Sequence, residues 1–179
     1  KANEKYDEAY IEYKNYLKLV PSDIRGDNGV KSCELAAKWK IKPTRYQIEN
    51  MAFFNSKESD FSPTFGKKDY TIIFFTSTRA GSVGNEVSGA TGQSFADIYL
   101  ATEDRKGKWS VPAPITETVN SPIEEGASSV NDKGSTMYFT RCNVEKKKRL
   151  GCLVYQSEKM GTDWDVPALL PIGSDSITV

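Results

Sequence analysis

Apolar and aromatic side chains near the start of the chain recur at helical spacing, and beyond residue 43 the period drops to two. Tyr6, Ala9, Tyr10, Tyr13, Leu17 and Val20 fall on one helical face, and Pro21 stops that helix. A second helix is predicted over residues 23–40, with Val30, Cys33, Ala37 and Ile41 in phase and Asp23 placed as its N-cap. Gly26 and Gly29 weaken it near its start. Pro43 pushes the residue before it out of helical space and marks a boundary. The chain is therefore expected to be α+β, with a helical hairpin over residues 1–42 and an all-β segment over 43–179.

In the second segment Tyr46, Ile48 and Asn50 alternate with polar residues and predict one strand at about 45–52. A longer phrase then appears twice. Trp109-Ser110-Val111-Pro112-Ala113 returns as Trp164-Asp165-Val166-Pro167-Ala168, and Asn55-Ser56 returns as Asn120-Ser121. Strand-rich copies spaced by roughly 55 to 65 residues point to four-stranded β-propeller blades, since one such sheet cannot bury both faces without neighbours. Blades are expected at about 55–118 and 120–172, with Phe75-Thr76 corresponding to Phe139-Thr140 and a third start at Ile172-Gly173-Ser174. Two blades do not close a ring, so the rest of the propeller is expected from the same or a second chain. The strand at 45–52 is expected to complete the last blade, and Trp109 and Trp164 to cover blade edges near the outer strand.

Composition narrows the chemistry. Lys+Arg and Asp+Glu both number 24 and no basic face stands out, which argues against nucleic acid as a partner. Histidine is absent, excluding Ser-His-Asp and Cys-His nucleophiles and histidine-bearing zinc sites from this sequence. No cofactor or metal is expected. The longest strongly apolar run, Ile72-Ile73-Phe74-Phe75, is far short of the roughly 20 residues of a membrane-spanning helix. The first residues lack the order of a signal peptide, so any export signal is expected to have been removed or to lie outside this sequence. Cys33 reads as a buried free thiol. Cys142 and Cys152 flank a hairpin loop, close enough for a disulfide in an oxidising compartment; two unrelated thiols are the alternative.

The insertion over residues 80–96 is the best recognition candidate. It carries Gly81, Ser82, Gly84, Asn85, Gly89 and Gly92 and is about ten residues longer than its counterpart in the second repeat. Its glycines do not make a phosphate loop, because no Gly-Lys-Ser or Gly-Lys-Thr follows. Lys146-Lys147-Lys148-Arg149 is a basic hairpin tip, read first as a solvated end. Asp132-Lys133-Gly134 is explained by turn chemistry. Glu124 and Glu125 are adjacent on a strand, point to opposite faces and cannot flank one glycosidic bond. No catalytic residue is assigned.

Two resemblances extend this reading. Tyr6, Ala9, Tyr13, Leu17, Leu19 and Pro21 resemble the end of a tetratricopeptide array. Ser59-Asp60-Phe61-Ser62-Pro63 with Ile73-Phe74-Phe75-Thr76-Ser77-Thr78-Arg79, and Asn131-Asp132-Lys133-Gly134 with Met137-Tyr138-Phe139-Thr140, resemble TolB-type, WD-like propeller repeats. The combined order is similar to periplasmic proteins of the Bacteroidetes in which such repeats precede an OmpA-like peptidoglycan-binding domain, a family that includes a type IX secretion component. That resemblance implies a non-catalytic, outer-membrane-associated periplasmic scaffold whose partners are envelope or secretion-complex proteins. It implies contact with peptidoglycan only through an OmpA-like domain that this sequence does not contain. Ala127-Ser128-Ser129 departs from the repeat pattern. A propeller gating a peptidase domain and a glycan-binding propeller are the alternative readings.

Overall fold

The computed structural model describes residues 3–84, 86–89, 91–145 and 148–172. The chain divides into two compact units, residues 1–49 and 50–179.

The first unit is a hairpin of α1 (Tyr6–Leu19) and α2 (Ile24–Ile41). Asp7 and Glu8 in the first turn of α1 and Lys18 in its last suit the helix dipole. Asp23 caps α2 by accepting the Arg25 backbone N–H at 2.9 Å, and its carboxylate also receives the Arg25 guanidinium and the Tyr16 hydroxyl. The Arg25 hydrogen bond, helped by Tyr16, holds the Asp23 carboxyl well below the usual carboxylate range. One polar knot thus ties the end of α1 to the start of α2.

The buried stripe of α2 is Gly26, Gly29, Val30 and Cys33, and Cys33 is a free thiol. The two glycines that weaken α2 as a local helix are the places where α1 approaches it. A Cβ on Gly26 would lie 2.6 Å from Leu17 Cδ2, and one on Gly29 would run into the Tyr13 ring. Alanine there gains about 1 kcal/mol of helix propensity, but overpacking costs about 1–3 kcal/mol. Gly29→Ala is therefore expected to lower the stability of the hairpin, measured as the loss of helical circular dichroism in urea.

The strand predicted at 45–52 does not form. Residues 44–51 are irregular, and Tyr46 and Ile48 are 71% and 97% exposed. Period-two spacing supplies one apolar face but no ladder partner, and an unpaired short strand is not stable in water.

The second unit holds two antiparallel sheets built alike. In the first, β1 (Asp60–Phe65), β2 (Ile72–Ser77), β3 (Asp97–Thr102) and β4 (Ala113–Pro114) lie side by side in chain order. In the second, β5 (Glu124–Val130), β6 (Thr136–Glu145), β7 (Lys148–Met160) and β8 (Asp163–Trp164) do the same, and β9 (Ala168–Leu169) also pairs with β7. The registers correspond: Phe75 faces Tyr99 in one sheet and Phe139 faces Tyr155 in the other. Both first strands break register at the same point, between Phe61 and Thr64 and between Gly126 and Ser129. Ser62 and Ala127 take positive φ there, 51° and 48°, which marks a shared β-bulge.

The sheets pack face to face. Phe74 and Ile98 of the first share a core with Met137, Phe139 and Trp164 of the second and with Val119 of the segment joining them. Trp164, only 5% exposed, lies edge-on to Phe74 with ring centroids 6.1 Å apart. It fills the space between the sheets and does not cover a blade edge near the outer strand as expected. Trp109 is likewise turned inward, edge-on to Phe54 at 5.2 Å in a second core with Phe75, Tyr99 and Ala101 on the other side of the first sheet.

Candidate functional site

The recognition candidate, residues 80–96, joins β2 to β3 and is anchored at its base. Gly81 and Gly84 adopt φ of 100° and 91°, open to glycine at little cost. Gly84 also abuts Pro122, whose Cα would be 2.9 Å from an added Cβ. Ser82 donates to the Arg79 carbonyl at 3.0 Å, and Gln93 Oε1 accepts from Ser59 and Thr78 at 3.0 and 2.8 Å. A small turn closes through Gly92 N–H to the Ser88 carbonyl at 2.8 Å. A Cβ on Gly89 or Gly92 would meet nothing within 4 Å among the described residues, while the base of the loop is held. Asn85 lies outside the described residues.

Beneath this loop sits a carboxylate that no motif in the sequence marks. Asp97 is fully buried; its Oδ2 accepts the Val83 backbone N–H at 2.6 Å, and its Oδ1 has no partner among the described residues. Burial pushes the carboxyl up to about 6, against the pull of the Val83 N–H. Tyr99, two residues on and on the same face of β3, is also buried, and burial raises its phenol.

Each sheet also carries an acid, an arginine and a stacked aromatic pair. In the first, Asp60 accepts Ser56 N–H at 2.5 Å, Ser77 Oγ–H at 2.7 Å and Arg79 Nη2–H at 2.5 Å. The Arg79 guanidinium lies 5.0 Å from both the Phe75 and the Tyr99 ring centroids. In the second, Glu125 accepts Ser121 N–H at 2.9 Å and Arg141 Nε–H at 2.7 Å, and Arg141 lies 5.6 Å from Phe139 and 5.0 Å from Tyr155. Both arginines also hold a backbone carbonyl, of Phe54 at 2.6 Å and of Val119 at 2.7 Å.

The longer acid pairs with an arginine that starts nearer, so an ion pair over an aromatic pair is kept from two different residue sets, through Arg79 Nη2 in one sheet and Arg141 Nε in the other. Burial raises the Asp60 carboxyl, but Arg79, Ser56 and Ser77 outweigh it and leave it below its ordinary value. Glu125 is buried more deeply, and its carboxyl is pushed up to about 7 against the pull of Ser121 and Arg141. These acids are committed to cation and backbone contacts within their own sheets.

Cys142 and Cys152 stand opposite each other in the β6–β7 ladder and are joined by a disulfide, with Cα atoms 3.9 Å apart. The bond closes a short loop next to Arg141. Its reduction is expected to cost about 2 kcal/mol, read as a lower urea midpoint in dithiol than in oxidised buffer. Of the basic tip, Lys146 and Lys147 lie outside the described residues. Among the described residues no group of three or more acidic, cysteine or histidine side chains could hold a metal ion, and no helix is long and apolar enough to cross a membrane. Compared with known proteins, the chain matches no family model, no curated protein and no solved structure.

Proposed function

We propose that the chain is a non-catalytic scaffold: a tetratricopeptide-like helix pair followed by a sector of a β-propeller, binding protein partners at the periplasmic face of an outer membrane. The observation that carries this reading is the repetition of one four-stranded meander, with the same bulge and the same acid–arginine–aromatic cluster, packed face to face on its predecessor. Stacked repeats bury a continuous core in this way and serve mainly as binding surfaces. The helix pair supports the same role, because Ile11, Leu35 and Trp39 stay exposed on it as they would on a unit made to stack or bind.

The Cys142–Cys152 bond suits an oxidising compartment such as the periplasm. The resemblance to Bacteroidetes envelope proteins narrows the partners to components of a type IX-like secretion complex. Anchorage to peptidoglycan would come through an OmpA-like domain elsewhere in a longer protein. Co-purification of the tagged protein from solubilised envelopes tests this: known secretion-complex subunits are expected in the eluate, and failure to retain any envelope protein contradicts the reading.

A further inference from the structure

The two sheets meet at their turn ends around a cleft that neither makes alone. The β1–β2 turn closes through the Tyr70 N–H to the Lys67 carbonyl at 3.1 Å, and the β5–β6 turn through the Gly134 N–H to the Asn131 carbonyl at 2.9 Å. The second turn lies against the first, since a Cβ on Gly134 would stand 2.7 Å from the Gly66 carbonyl oxygen. Lys68 Nζ and Asp132 Oδ2, 2.9 Å apart, bridge the two turns. The cleft measures about 460 Å³ and is walled by Phe65, Lys67, Lys68 and Tyr70 of the first sheet and by Val130 and Asp132 of the second. That is room for a small ligand.

The cleft lies along the seam between the docked sheets, not on the outer face of either. Asn120 closes the other end of that seam, its Oδ1 accepting the Ile98 N–H and its Nδ2 donating to the Ile98 carbonyl, both at 3.0 Å. The six residues of β2 separate the two ends by roughly 20 Å. The chain enters the unit at the far end, where Arg79 holds the Phe54 carbonyl. Its last described stretch, β9, also runs toward that end, with the Leu170 N–H on the Val154 carbonyl at 2.9 Å.

Tyr70 breaks a local rule without a packing gain. It closes its turn as Gly134 closes the other, and both take positive φ, 59° and 70°. Glycine adopts that conformation at little cost, whereas a side chain as large as tyrosine is strained there. Burial does not offset the strain, because Tyr70 is 62% exposed and meets Phe65, itself 47% exposed, edge-on with ring centroids 5.0 Å apart. The second sheet shows that the turn closes without an aromatic. Strain kept at an exposed position in this way marks a functional residue.

The groups around the ring select the ligand. The aromatic pair presents apolar ring surface to water, and beside it the exposed Lys68–Asp132 pair supplies a donor and an acceptor that contribute little to stability where they are. Asp132 balances the charge of Lys68, and Asp69, held ionised by the Thr71 hydroxyl and N–H with Lys67 adding to the pull, balances that of Lys67. The cleft therefore has no surplus charge to select an ion. The Asn131 amide is taken up by Ser135 and Thr136 and fixes the second wall. A ring with an apolar face and a rim of hydroxyls fits both features, and a pyranose has that form. We propose that the cleft binds the end of a neutral glycan, one pyranose lying on Tyr70 with its hydroxyls on Asp132 and Lys68. The site needs only the two docked turns and does not rest on the scaffold reading.

A glycan array probed with the purified chain, followed by NMR titration of its backbone amides with a retained neutral trisaccharide and with trigalacturonate, tests this. At least one neutral glycan is expected to be retained and to shift the amides of both turns to saturation, with trigalacturonate weaker by about tenfold or more. Tyr70→Asn keeps a residue that tolerates the left-handed turn but removes the ring. It is expected to weaken binding by about tenfold or more with no drop in the urea midpoint, and Asp132→Ala on the facing turn to weaken binding as well. An array that retains no neutral glycan, shifts centred away from the two turns, tighter binding of trigalacturonate, or a Tyr70→Asn protein that binds like the wild type overturns the proposal. If circular dichroism shows that Tyr70→Asn does not fold, Asp132→Ala decides by the same criterion.

Discussion

Trp164→Ala is expected to destabilise the second unit by about 3–5 kcal/mol, a large share of the stability of any small domain. The indole is 5% exposed, is edge-on to Phe74 of the facing sheet, and has Lys159 Nζ 5.6 Å from its ring. Deleting it opens a cavity between two sheets that are themselves well hydrogen-bonded, so neighbouring side chains can collapse only in part. Urea unfolding should show a lower midpoint with little change in slope. Trp164→Phe keeps an aromatic edge against Phe74 and should recover about half of the loss. A midpoint shift below about 1 kcal/mol would mean that Trp164 does not bridge the sheets.

Asp97→Asn should do the opposite and stabilise the unit above pH 6. The folded carboxyl sits near 6 against an ordinary value of 3.8. Between those values the folded state holds a proton that the unfolded state has released. Stability therefore falls as pH rises from about 4 to about 6, by about 3 kcal/mol in all. Asparagine keeps an acceptor for the Val83 N–H and carries no charge to bury. The variant should lose this part of the pH profile and match or exceed the wild type at neutral pH. Equal pH dependence in the two proteins would show that Asp97 is hydrated and not sealed under residues 80–96.

The helices were legible because their signals are local: the apolar stripe, Pro21 and the Asp23 cap place α2 within a residue at each end. The repeated sheets were legible because the phrases around Asn55, Asn120, Trp109 and Trp164 recur in order. What escaped the sequence depends on partners far along the chain. Tyr46 and Ile48 alternate like a strand yet have no ladder to join. Gly26 and Gly29 read as helix breakers until Leu17 and Tyr13 are seen to need their space.

The charged clusters were hidden by compensation. Arg79 follows Phe75 by four residues and Arg141 follows Phe139 by two, while Asp60 and Glu125 differ by one methylene. Neither substitution alone preserves a motif, but together they preserve the ion pair. Asp97 gave no signal either, since its position in the second repeat is taken by Leu153. Only the covering loop makes it unusual.

Exchange of the Ile98 backbone amide, followed by NMR, tests most directly whether two like sheets are docked as neighbours through Asn120. That amide points out of its own ladder toward the Asn120 side chain, so its protection depends on the grip and not on β2. It should exchange only with global unfolding in the wild type and become labile in Asn120→Ala while the amides bonded within the β2–β3 ladder stay protected. Rapid exchange of Ile98 in the wild type would contradict the docked arrangement and the propeller sector built on it.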